Sequence, residues 1–267
     1  MRTIYVCLLL LIASIAFAQD YFQGKNLVCP SNNAEAMRNF NSGIKVLHLN
    51  TSLAPKYLAA NSELFGRAII ADSTFCDAYF FAGYTLSLQK QYKEAFVFYY
   101  AADSMAQNKS LEFKVNLAST SLKVGLIDIA RTKYNELIQY FPANAEGYYG
   151  YAVTSLMIGD VEDGLKNIDH AMGIYLENAR KPGDDSYYVK AVLLTLNRRY
   201  EESLDLFREV YSTYKKDDNY NLHYALSLLK VSDIKKDEKM KKEALKYYNK
   251  IKDKNNIPKE IKDQLAF

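Results

Sequence analysis

Small residues recur along this chain in pairs twelve apart: Gly83 with Ala95, Ala118 with Ala130, Ala152 with Gly164, and Ala191 with Ser203. The first members of successive pairs are 35, 34 and 39 residues apart. A bulky residue stands four beyond each second member, at Tyr99, Tyr134, Ile168 and Phe207. Seven beyond it stand Ala102, Leu137, Ala171 and Val210. Spacings of four and seven keep residues on one face of a helix. Between the two halves of each period lie turn residues, including Gly125, Gly159-Asp160 and Arg198-Arg199. The pattern predicts two amphipathic helices joined by a tight turn, with a small residue on each facing surface so that the backbones can approach. One such hairpin cannot bury its apolar face alone, so neighbouring hairpins must stack. The expected fold class is an all-α, α-solenoid array.

This layout resembles the tetratricopeptide repeat, a helix-turn-helix unit of about 34 residues. The clearest copy is Cys76 to Lys109, with Tyr79, Ala82, Gly83 and Leu86 in the first helix and Tyr92, Ala95, Tyr99 and Ala102 in the second. Further copies run over about Leu111 to Asn144, Ala145 to Asn178 and Asp184 to Asp217, and Pro142 falls at the family's closing proline. The third copy has Leu176 at that place, and the loop Glu177 to Asp185 absorbs extra residues. The expected organisation is then 1–18 a cleavable signal peptide, 19–33 an extended N-terminal segment, and 34–75 a degenerate first repeat with Asn61 at a small position. Residues 76–217 form four repeats, and 218–267 form a degenerate fifth repeat and a capping helix. In the fifth unit Ala225 and Ala244 are nineteen apart, so the turn VSDIKKDEK is expected to carry an insertion of seven. Atypical terminal units are what a solenoid needs against water.

Composition changes this picture little. A net charge of +3 is too small to imply nucleic-acid binding. The first residues, MRTIYVCLLLLIASIAFAQD, have one early Arg2, an apolar run from Ile4 to Ala18 and small residues before Gln19. That is the layout of a secretory signal cleaved after Ala18, and it is short for a membrane span. The expectation is an exported chain, periplasmic or secreted, of the exported bacterial type. Two cysteines, Cys29 and Cys76, then remain. In an oxidising compartment they read either as a disulfide or as two separate thiols, and spacing alone leaves both open.

Candidate chemistry is sparse. His48, His170 and His223 lie far from one another and from any Cys at metal-ligand spacing, so no zinc pattern is present. No phosphate loop, nucleophile elbow or Cys-His arrangement occurs. Acidic pairs such as Asp184-Asp185 stand at expected helix starts, where carboxylates suit the helix dipole. Lys230 to Lys262 holds twelve Lys against six acids, a solvated face with interleaved signs. The expectation is no enzyme and no cofactor.

The resemblance implies that first helices line a concave groove. Its inward positions include Asp77, Phe80, Phe81 and Tyr84 in the first clear unit, and Asn116 and Lys123 in the second. The third supplies Glu146, Tyr149, Gly150, Val153, Leu156 and Met157, and the fourth Asp185, Tyr188, Val189, Val192, Thr195 and Leu196. Some members of the family grip a partner's C-terminal carboxylate with Lys, Arg and Asn at these positions. Here only Asn116 and Lys123 suit that role. The partner-binding groove is therefore expected at Phe80, Phe81, Tyr84, Asn116, Lys123, Tyr149 and Tyr188, as a Tyr- and Phe-rich surface for a protein or peptide. A second reading makes Tyr84, Tyr149 and Tyr188 stacking platforms for a carbohydrate or small ligand. A third packs some of these rings against the chain's own terminal segment, Gln19 to Asn33.

Overall fold

The computed structural model describes residues 21–49 and 55–265; the expected signal peptide lies outside them. Among the described residues there is no strand, and no helix is long and apolar enough to cross a membrane. The chain divides into two compact units, Met1–Pro142 and Ala143–Phe267.

The N-terminal unit holds three hairpins. They are α1 (Ala34–Leu49) with α2 (Pro55–Ala71), α3 (Cys76–Leu88) with α4 (Tyr92–Ala106), and α5 (Leu111–Lys123) with α6 (Ile127–Tyr140). Successive hairpins pack through α2 on α3 and α4 on α5. The small residues do what their spacing predicts. A Cβ added at Gly83 would lie 3.0 Å from the Tyr99 ring and 3.2 Å from the Ala95 carbonyl oxygen, so a side chain there would press the two helices apart by a few tenths of an ångström. Ala95, Ala102, Ala118 and Ala130 are fully buried, as is the bulky partner Tyr99. Asn61, the odd residue at a small position, is fully buried too, and no protein group bonds its amide.

In the C-terminal unit α7 (Ala145–Ile158) pairs with α8 (Val161–Glu177), and α9 (Asp184–Leu196) with α10 (Tyr200–Glu209). A one-turn α11 (Tyr211–Tyr214) leads to the last pair, α12 (Asp218–Lys235) and α13 (Glu238–Lys250). A Cβ on Gly164 would come within 2.8 Å of Leu193, so the next repeat's first helix sits directly on this position. Asn144 and Asp217 cap α7 and α12 through their side chains, satisfying backbone donors at the helix starts. A 3-10 turn (Lys254–Asn256) and α14 (Lys259–Lys262), opened by Pro258, close the unit; Ile257 and Leu265 are buried in its core. The fifth unit departs from expectation. Its seven extra residues do not swell the turn: α12 continues to Lys235 and α13 starts at Glu238. Val231 and Ser232 are buried, so the apolar face persists past the expected end and the helix follows it.

One buried group has no counterpart in the repeat pattern. Lys114 stands at the α5 position where the other repeats carry Tyr79, Tyr148 and Tyr187. It is fully buried, with Nζ 3.0 Å from Asp103 Oδ1 of α4 and bonded to Glu136 of α6. Lys133 completes the cluster, 2.9 Å from Asp103 and 3.0 Å from Glu136. Burial alone would raise the Glu136 carboxyl, but hydrogen bonds from Lys114 and Lys133 outweigh it and hold the group below its ordinary range.

Candidate functional site

The inner surface of the N-terminal unit is already covered, and the cover is the chain itself. Residues 21–33 are folded rather than extended. Tyr21 and Phe22 are helical, and Gly24, at φ 75°, turns the chain back by donating to the Tyr21 carbonyl at 2.8 Å. The Tyr21 ring stacks on Phe81 at a centroid distance of 5.4 Å and meets Phe80 and Phe113 edge-on. Phe22 packs on Phe80, Phe81 and Tyr84. Beneath them the Asp77 carboxylate accepts three hydrogen bonds from the segment. These come from Tyr21 OH at 3.0 Å, Val28 N–H at 2.9 Å and Cys29 N–H at 2.8 Å. Burial lifts the Asp77 carboxyl above its ordinary range despite these donors. Cys29 and Cys76 are joined in a disulfide with Cα atoms 5.6 Å apart. Further along, Ser31 bonds Asp72 and the Asn33 amide donates to the Ala71 carbonyl at 2.9 Å.

This arrangement corrects the groove expected from sequence. Phe80 and Phe81 have no exposed surface; they are core, closed over by Tyr21 and Phe22. Tyr84 remains half-buried under Phe22. Asn116 spends its amide on the Glu112 carbonyl of its own helix, 2.8 Å away, and exposed Lys123 lies over the Tyr92 ring at 4.9 Å. These two do not converge into a carboxylate clamp. Of the three readings, packing against the chain's own segment Gln19 to Asn33 is the one that holds for Phe80 and Phe81.

In the C-terminal unit the expected inward positions divide: Gly150, Val189, Val192 and Thr195 are buried, whereas others keep accessible surface. Tyr149, Val153 and Leu156 of α7 are half-buried, Met157 beside them is exposed, and Tyr188 of α9 is half-buried. Carboxylates rim this strip. Tyr188 OH donates to Asp217 at 3.3 Å, Tyr175 OH to Glu146 at 3.2 Å, and Tyr214 OH to Asp185. Burial pushes the Tyr149 hydroxyl up to about 12, with Asp185 and Glu146 adding to it. The phenols therefore stay protonated as donors. Tyr188 and Tyr214 stack at 4.3 Å, so one face of Tyr188 is taken.

His223 on α12 is buried, and its Nδ1 has no protein partner. Burial depresses its pKa from 6.5 to about 4, against the pull of Asp217. A base held neutral in the folded state binds fewer protons than in the unfolded chain, so stability is full above pH 6.5 and is lost as pH falls toward 4. The loss attributable to this group should reach about 3 kcal/mol, a depression of two to three pH units at about 1.4 kcal/mol each. Urea unfolding of wild type and His223→Leu across this range checks it; parallel pH profiles would remove His223 from the account.

Known proteins support the architecture. No family model and no curated protein sequence matches the chain. Among solved structures, YrrB, described as a TPR protein with an unusual peptide-binding site, superposes with a TM-score of 0.56 at 15% identity, over 68% of this chain and 87% of that one. A tetratricopeptide repeat protein from Parabacteroides merdae ATCC 43184 gives 0.57 at 14% identity, over 86% and 97%. MamA (41-end) from Desulfovibrio magneticus RS-1 gives 0.58 at 12%, over 70% and 99%. With hairpins, small-residue pairs and neighbours in agreement, the fold of this chain is that of the tetratricopeptide repeat.

Proposed function

We propose that this protein is a non-enzymatic, exported scaffold that holds a peptide or a segment of a protein partner on the inner face of its C-terminal unit. The observation that carries this is the contrast between the two inner faces. Tyr21 and Phe22 cover one, while Tyr149, Val153, Leu156, Met157 and Tyr188 stay accessible on the other. A strip of tyrosine and aliphatic side chains with a hydrogen-bonding rim suits a chain with alternating apolar and polar groups. The peptide-binding site named for YrrB agrees with this use of the fold. A sugar platform is the weaker reading, because Tyr214 occupies one face of Tyr188. The apolar run Ile4 to Ala18 and the Cys29–Cys76 disulfide support export into an oxidising compartment.

A photoreactive phenylalanine analogue placed at Tyr149, Tyr188 or Phe80 in the native cell tests the assignment. Adducts to one partner are expected from Tyr149 and Tyr188 and none from Phe80. Tyr149→Ala should cut recovery of that partner at least tenfold with helicity unchanged. Adducts from Phe80 alone, or recovery indifferent to Tyr149→Ala, would move the site elsewhere.

A further inference from the structure

We infer that Cys29, Cys76 and Asp77 form a divalent transition-metal site, of zinc type, when the disulfide is reduced. The two sulfurs and a carboxylate oxygen of Asp77 all lie within 4.8 Å of one another. Cys76 and Asp77 are fully buried, whereas Cys29 is partly exposed, so the cluster meets solvent on the Cys29 side. Two thiolates, one carboxylate and a water make the open tetrahedral set that zinc accepts.

Breaking the S–S bond does not scatter these ligands. The segment carrying Cys29 is fixed independently by the hydrogen bonds of Tyr21 OH, Val28 N–H and Cys29 N–H to Asp77 and by the Tyr21 and Phe22 rings. Asp77 Oδ1 takes two of those donors; Oδ2 takes one and faces Cys76 Sγ at 3.9 Å. Oδ2 is therefore the oxygen available to a metal, and its neighbours hold it in orientation as outer-shell partners do. Zinc–sulfur bonds of about 2.3 Å require sulfurs about 3.8 Å apart. Cα atoms 5.6 Å apart allow this by side-chain rotation.

The chemistry balances with a phosphine as reductant. The phosphine is oxidised to its oxide with oxygen from water and delivers two electrons and two protons to the disulfide, giving two thiols. The metal ion then displaces both thiol protons. The consequence is that residues 21–33 stay over α3 in either redox state, held by a covalent bond or by a metal.

The test uses the full chain, reduced with a water-soluble phosphine and titrated with Co²⁺ as the spectroscopic probe. Thiolate-to-cobalt charge-transfer absorption should appear with a stoichiometry of one and be abolished by Zn²⁺ in slight excess. Oxidised wild type, whose fold is intact, should show none. Cys29→Ser should lose most of the band, and Asp77→Asn should bind at least tenfold more weakly. Absence of the band in reduced wild type, or a band of equal strength in oxidised wild type or in Cys29→Ser, would overturn the site. Neither result bears on the inner face of the C-terminal unit.

Discussion

Lys114→Met is expected to destabilise the N-terminal unit by about 3–5 kcal/mol, the range for removing one partner of a buried ion pair. Methionine nearly matches lysine in volume, so the loss reports charge and not a cavity. The substitution strands Asp103, itself almost fully buried, with only Lys133 beside it, and takes the closest cation from Glu136. Urea unfolding at neutral pH would show a midpoint shift with unchanged slope. The stronger check is the triple variant Lys114→Tyr, Asp103→Ala, Glu136→Ala. It restores the aromatic residue found at this position in the other repeats and removes the acids that lysine serves. Because desolvating an ion pair offsets much of its attraction, the triple variant should recover most of the loss. If the single variant is as stable as wild type, the cluster is solvated and its burial is not the source of its energy.

The second large effect belongs to Cys29–Cys76. Reduction, or the double variant Cys29→Ser with Cys76→Ala, should lower the unfolding free energy by about 4 kcal/mol, from closure of a loop of this length in the chain-entropy model. The sequence separation is 47. Measurement in the presence of a chelator keeps any metal from substituting for the bond. Native-state hydrogen exchange should locate the change in residues 21–33 and α3, with Tyr21 and Phe22 still docked at neutral pH through Asp77 and the aromatic stack. A loss below 1 kcal/mol would mean that the unfolded chain already keeps these segments together.

What could be read beforehand was local. Pairs of small residues twelve apart encode the closest approach of two adjacent helices, and a Cβ at Gly83 or Gly164 would make its neighbours shift. Tyr149 and Tyr188 were named from helix phase, and both are half-buried. Contacts between distant segments were not legible. The terminal segment Gln19 to Asn33 was one of three candidate partners for Phe80, with nothing to single out Tyr21, and nothing near Lys114 announces Glu136, 22 residues on. A lysine at a bulky apolar position was the one available sign of a buried pair, because lysine is rarely buried without a counter-charge. The fifth unit failed differently: an insertion between matched alanines says that residues are added, not whether they extend helix or turn. Burial of Val231 and Ser232 decided for helix.

The cover over α3 precedes in the chain the surface it protects. During synthesis Tyr21 and Phe22 emerge first, and their seat is incomplete until Phe113 has followed. Until then the rings of Tyr21 and Phe80 lack one of their final neighbours. Cys29 likewise is made 47 residues before Cys76. Oxidation too early would cap Cys29 with a small thiol or another chain, so the timing of folding sets the fidelity of this bond.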